Sequence, residues 1–238
     1  FFFFFFFFFF FDKKKIIAIG PLTNLAAAEK LQPGILSKAK SILIMGGTFD
    51  IRKGNAHPVS EFNFVCDPSS AKYFFDTMSE LARKDPKCGL PEVVLFPLDI
   101  TTTLDVTDQD LQMLETLVSR KKKLSEHGTH VLDFIRGLLH HQFDTHYRWG
   151  YGYNMHMHDP TTVAYLAYSH LFAFKRVPVQ IDEQTGMSFY DNRMLSPFAL
   201  SKDVFEYYQP NSWVCVGAER DKFIYAFIRD MAALIENI

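Results

Sequence analysis

Two stretches of this 238-residue chain concentrate side chains that can do chemistry. In the first, the loop Gly54-Asn55-Ala56-His57-Pro58 leads into Glu61-Phe62-Asn63, just ahead of Asp67-Pro68. Carboxylates and amides together accept from and donate to hydroxyls, so a cluster of this kind suits a polyhydroxylated ligand. The same residue types also serve as turn formers and caps between elements. The second stretch is rich in imidazole: seven of the nine His lie from His127 to His158. Its densest part is His156-Met157-His158-Asp159. On a strand, His156 and His158 would share one face. With Asp159 they offer three metal-ligating side chains, but no His-Glu-x-x-His and no Cys pair accompanies them, so a zinc-hydrolase signature is not met. Asp159-Pro160 repeats the helix-start pattern of Asp67-Pro68. That puts His158 on a strand-to-helix corner, where a His can deliver a proton near neutral pH and an Asp can bind a cation.

The elements that must hold these groups alternate. Ile16–Ile19 reads as a buried strand stopped by Gly20-Pro21, and Thr23 or Asn24 is placed to cap a helix reaching Leu31. Ser41–Met45 is a second apolar strand, ended by Gly46-Gly47, and Val93–Leu98 a third. After Asp67-Pro68, the residues Ala71, Phe74, Phe75, Met78, Leu81 and Ala82 recur at three and four, giving a helix one buried face. Thr107–Arg120, Pro160–Ala173 and Asp221–Ile235 also read as helices. Val177–Ile181 and Ser188–Tyr190 pair as a hairpin. Residues 121–157 show no clear period and are expected to be partly loop. Short apolar strands alternating with helices predict an α/β fold, a mainly parallel open sheet flanked by helices. In such sheets ligands sit beyond the carboxyl ends of the strands, where the polar clusters fall.

Composition narrows the classes. Hydrophobic residues are 48% and charged residues 22%, so the chain as a whole is not disordered. A net charge of -2 argues against a nucleic-acid binder driven by bulk charge, and no membrane partner is expected. The three cysteines, Cys66, Cys88 and Cys215, make no disulfide framework and suggest a reducing, cytoplasmic location. Phe1–Phe11 followed by Asp12 and Lys13–Lys15 fits neither a membrane span nor a signal peptide. Residues 1–12 are expected to be a low-complexity or artefactual segment, and residues 13–238 the domain.

Ile17-Ala-Ile-Gly-Pro-Leu-Thr-Asn-Leu25, Met45-Gly-Gly47, Gly54-Asn55, Glu61-Phe-Asn63 with Asp67-Pro68, and His158-Asp159-Pro160 stand in an order that resembles the inosine–uridine preferring nucleoside hydrolases. Leu98-Asp99-Ile100-Thr101 resembles a strand end of that family. The resemblance implies hydrolysis of the N-glycosidic bond of a ribonucleoside to ribose and free base, assisted by Ca²⁺. It implies that Met45, Asn55, Glu61 and Asn63 hold the ribose, that Asp159 and the main-chain carbonyl of Ile19 bind the metal, and that His158 protonates the leaving base. It also implies a homo-oligomer for the complete protein. The family's Asp-x-Asp-x-Gly-x-Asp-Asp run, which supplies most metal ligands and the catalytic base, has no match here. The domain is therefore expected to be incomplete, its first strands missing, with an insertion near residues 121–150. Alone it is expected to bind calcium negligibly and turn over no substrate. The alternative is a non-catalytic relative that keeps the ribose-binding groups.

Overall fold

The computed structural model describes residues 14–50, 53–57, 59–84, 91–120, 124–190 and 210–238. The Phe run and Lys121–Lys123 lie outside the described residues. At the centre are apolar runs that alternate between two buried faces. In β2 (Ser41–Met45), Ile42 and Ile44 pack to one side and Leu43 to the other. In β3 (Glu92–Phe96), Val93 and Leu95 go one way, Val94 and Phe96 the other. A strand points successive side chains to opposite faces, so burial of both requires helices on both. The sheet order is β1-β2-β3-β9-β6, with β1 Lys15–Ala18, β6 Phe172–Val177 and β9 Ser212–Ala218. The first four run parallel and β6 pairs antiparallel to β9. The mainly parallel α/β sheet read from the sequence is the one observed.

On one face lie α1 (Thr23–Leu31) and α3 (Pro68–Lys84), which buries Ala71, Phe74, Phe75, Met78 and Ala82, while Leu81 is only partly covered. The other face carries α5 (Asp108–Ser119), α6 (Glu126–Arg148) and α8 (Arg220–Asn237). Among the described residues there are also short pieces: α2 (Phe62–Cys66), α4 (Leu98–Thr101), α7 (His158–Tyr168), a ribbon of β4 (Asp105–Thr107) with β5 (Asn154–His156), and a hairpin of β7 (Val179–Ile181) with β8 (Ser188–Tyr190). Among the described residues no helix is long and apolar enough to cross a membrane.

Several expectations are corrected. Most of residues 121–157 is not loop: α6 runs 23 residues, burying Gly128, Leu132, Leu139, Phe143 and His146 on one stripe. Thr23 does not cap α1, which starts at Thr23 with no side-chain cap; its hydroxyl instead donates to Asp67, tying α1 to the start of α3. The third strand ends at Phe96, because Pro97 and Leu98 open a helical turn. Leu98–Thr101 is thus that turn and not a strand end. The helix expected over Pro160–Ala173 stops at Tyr168, and Phe172 already pairs with Ala218 in the sheet. Asp67 precedes its helix and accepts from Ser70 N at 3.0 Å, whereas α7 begins one residue before Asp159, with Pro160 third.

Candidate functional site

Glu61 and Asn63 stand at the carboxyl end of β2. The Gly46-Gly47 turn that ends the strand is packed under Phe64. A Cβ on Gly46 would come 2.5 Å from the Phe64 ring, and Gly47 holds φ +77° with the ring and Ser188 Oγ as close neighbours, so only glycines fit. Glu61 caps α2 with its side chain. Its Oε1 accepts from Asn63 N at 2.7 Å, and its Oε2 accepts from Gly47 N at 3.0 Å and Phe64 N at 3.2 Å. One carboxylate thereby locks the glycine turn to the helix start. Asn63 Nδ2 donates to the Met45 carbonyl at 3.1 Å, with Met45 Sδ at 3.4 Å. Asn55 Oδ1 accepts from Phe62 N at 2.9 Å, drawing its exposed loop against the same helix. Met45, Asn55, Glu61 and Asn63, expected to act together, are brought together.

The carboxylate of Glu61 is buried, and burial pushes its pKa up to about 7 against the pull of its three backbone donors. The charge of Asp159 adds to that rise, which sets the N-terminus of α7 against the same site. Burial likewise lifts Asp159 to about 6. Beside it, His158 Nδ1 lies 2.8 Å from Thr101 Oγ1, a fully buried hydroxyl at the end of α4. Burial first, then the neighbouring His156 and His146, push His158 down to about 4. Its imidazole is therefore neutral at neutral pH.

Three imidazoles run outward from this point. The His158 and His156 rings are 5.5 Å apart and the His156 and His146 rings 5.0 Å, although only His156 is on a strand. Tyr151 packs edge-on against both His146 and His156, and Trp149 stacks on His146. His146 Nδ1 meets Asn154 Oδ1 at 3.3 Å, Asn154 Nδ2 donates to Asp105 Oδ2 at 3.2 Å, and Arg220 Nε donates to Asp105 Oδ1 at 3.0 Å. His156 Nδ1 is buried with no hydrogen-bond partner among the described atoms. His146 and Thr101 were missed as site residues. Thr101 lies 57 positions from its partner, and nothing local in the sequence announces that contact.

Asp99 anchors the neighbouring loop, accepting from Phe49 N at 2.9 Å and Asp50 N at 2.8 Å. Ile19 follows β1 and packs its side chain against the core face that carries α5, α6 and α8. Calcium takes six to eight oxygen ligands. Among the described residues no three His, Cys, Asp or Glu side chains are grouped to hold a metal ion. The described donors therefore do not fit a complete calcium site, and they do not fit a zinc site built from His156, His158 and Asp159.

This arrangement has relatives. The family model for inosine-uridine preferring nucleoside hydrolases matches residues 11–225. Uridine nucleosidase 1 of Arabidopsis thaliana is 30% identical over 169 residues, covering 71% of this chain and 44% of that protein. An inosine-uridine preferring nucleoside hydrolase of Leishmania major is 30% identical over 193 residues, covering 76% and 51%. The chain thus spans about half the length of these relatives. In fold it superposes on a plant nucleoside hydrolase with TM-score 0.71 at 23% identity, covering 92% of this chain and 61% of that one. A purine-preferring ribonucleoside hydrolase from Gardnerella vaginalis gives 0.69 at 21%, covering 94% and 62%. With the strand-end turn, the Glu61–Asn63 helix start and the His158-Asp159 corner all on one site, the chain belongs to the inosine-uridine preferring nucleoside hydrolase family.

Proposed function

We propose that the protein hydrolyses the N-glycosidic bond of ribonucleosides to ribose and a free base, and that the described residues form the ribose-holding side of that site. The observation that carries this reading is the joint placement of Met45, Glu61 and Asn63 at the end of β2 with Asp159 close enough to raise Glu61. A carboxylate has about four acceptor positions. Three on Glu61 are taken by backbone, so one on Oε1 remains for a ribose hydroxyl. Asn63 keeps its Oδ1, while its Nδ2 is engaged by the Met45 carbonyl and sulfur. Asn55 and Met45 are tied to the same helix start through Phe62 and Asn63.

In hydrolysis the water oxygen bonds to C1′, the C1′–N bond breaks, and the base leaves with the electron pair and takes up a proton. If Thr101 donates to Nδ1, His158 carries its proton on Nε2 and offers it to the base as a neutral donor. Neutral imidazoles of lowered pKa act in this way elsewhere. The group that takes the proton from water is assigned to no described residue. Calcium dependence, with Asp159 and the Ile19 carbonyl as ligands, belongs to the proposal for the assembled site, and no step is derived through the ion. A cytoplasmic setting, partners limited to the nucleoside and further copies of the chain, and a lack of turnover by this chain alone complete the proposal.

The test is ribose release from inosine and from uridine, with calcium, by the native protein and by residues 13–238. Ribose and base in equal amounts from the native protein, with none from the shorter chain, are expected. No release from the native protein overturns the enzymatic reading. It would favour the second one, a ribose-binding relative without catalysis, to which the lack of a metal-holding group among the described residues points.

A further inference from the structure

The end of the sheet opposite the site carries features that ribose binding does not use. Helix α1 ends at Leu31, and the chain folds back to β2 through a turn held by Glu29. That carboxylate is buried and accepts from Gly34 N and, at 3.0 Å, from Leu36 N, with Gly34 in the left-handed region at φ +86°. The fold-back leaves Leu31 87% exposed, the most exposed large apolar side chain among the described residues. Beside it the backbone gathers lysines. Lys38 closes the turn, and Lys40 N donates to the Lys14 carbonyl at 2.9 Å, which brings Lys14 and Lys15 alongside. Lys14, Lys38 and Lys40 are exposed, and Lys15, Lys38 and Lys40 have no ion-pair partner among the described residues. Acids are fewer at this pole. Glu29 is engaged in the turn, and Glu92, whose N–H donates to the Lys40 carbonyl at 3.0 Å, is exposed.

The result is a basic pole that the net charge of -2 for the whole chain conceals. Like charges held together by the fold repel one another, and a partner of opposite charge relieves them. A polyanion in water would satisfy the lysines but gain nothing from Leu31. An anionic bilayer answers both: its headgroups attract the ammonium groups, and an apolar side chain between them reaches the acyl boundary. The sequence adds a third feature. Phe11 stands three residues before Lys14, so the Phe1–Phe11 run, too short to span a membrane, is tethered to this same pole. Aromatic and basic residues side by side suit the membrane interface. The ribose-holding groups lie at the other end of β2, roughly 16 Å away at about 3.3 Å per residue, and would face the water.

We propose that this pole, Lys14, Lys15, Lys38 and Lys40 around Leu31, docks the protein on an anionic lipid bilayer. The inference adds a partner to those given above and does not depend on the nucleosidase reading. Co-sedimentation of the full chain with phosphatidylserine-rich vesicles and with pure phosphatidylcholine vesicles tests it. Binding to the first is expected, at least roughly tenfold weaker binding to the second, and release from the first as salt rises. These lipid and salt comparisons need no variant. At about fivefold per lysine removed, Lys38→Gln with Lys40→Gln should weaken binding by roughly twentyfold or more, and Lys38→Glu with Lys40→Glu by more still. Leu31→Ser should weaken it by roughly tenfold. Deleting residues 1–11 should weaken binding but keep its dependence on Lys38 and Lys40. Circular dichroism and the unfolding midpoint report whether these exposed changes leave the fold intact. No binding to either vesicle, equal binding to both, or binding indifferent to both lysine pairs in folded variants would each overturn the proposal. Tighter binding to polyuridylate RNA than to vesicles, lost with the lysines but not with Leu31→Ser, would assign the pole to nucleic acid and overturn it as well.

Discussion

The two sides of the site are built on opposite principles. On the side proposed to hold ribose, Glu61, Asn63 and the Gly46-Gly47 turn are buried and held by backbone hydrogen bonds, over a Phe64 ring with no exposed surface. On the imidazole side, His146, His156 and His158 lean on one another through ring contacts. His156 Nδ1 has no hydrogen-bond partner among the described residues, and the outermost rings, Trp149 at 68% and Tyr151 at 52%, are largely in solvent. Well-bonded, close-packed groups hold one geometry, whereas loosely bonded rings can re-pack. In the proposed nucleoside site this would join a rigid floor for the sugar to an adaptable wall for bases of different shape.

That contrast sets the order of effects. Phe64→Ala removes the ring beneath both glycines and should cost about 3–5 kcal/mol in urea unfolding; a loss below about 1 kcal/mol would mean the floor is not held by packing. The pH dependence separates the sides by sign. Glu61 binds its proton more tightly folded than unfolded, with its pKa raised from 4.5 to about 7. Its contribution is therefore fully present below about pH 4.5 and is lost as pH rises to about 7, a swing of about 3 kcal/mol. His158 has its pKa lowered from 6.5 to about 4, so its contribution is lost as pH falls through the same window. The two slopes oppose each other. Asp159, raised to about 6, loses its contribution as pH rises just as Glu61 does, so His158→Phe should leave stability falling steeply between about pH 4.5 and 7, and Glu61→Gln should leave it nearly level. Equal slopes in both variants would contradict the assignment.

Glu61→Gln also turns an acceptor toward at least one backbone N–H into a donor, and should cost about 1–3 kcal/mol at neutral pH. Smallest of all, His156→Phe removes a desolvated nitrogen that has no partner among the described residues and should change stability by less than about 1 kcal/mol, or raise it. A loss of several kcal/mol by thermal unfolding would show that the imidazole wall is as fixed as the floor.

Where a local pattern existed, the sequence was legible. The apolar run Ser41–Met45 is the strand observed, and the 3–4 spacing after Asp67-Pro68 is the buried face of α3. Glu61 and Asn63 could be grouped because they sit close together just ahead of a helix start, whereas Met45 joined them only through the family resemblance. Helix α6 was hidden by its composition: glycine and histidine occupy inner positions, so Gly128 and His146 masked the period that Leu132, Leu139 and Phe143 keep. Strand β9 was missed because its evidence is tertiary. Trp213 and Val214 pair with Val94 and Leu95, more than a hundred residues away, and no nearby motif marks them. The Thr101–His158 contact is of the same kind. Long-range pairing decides such features, and local periodicity carries no trace of it.

The central claim is that the β2 end is a formed ribose site within this chain. It is tested most directly by calorimetric titration of residues 13–238 with ribose, alongside the Asn63→Leu variant. Saturable binding to the wild type, abolished in the variant whose folded stability is retained, is the predicted result. No ribose binding by the folded wild type, or binding equal in both proteins, would contradict it.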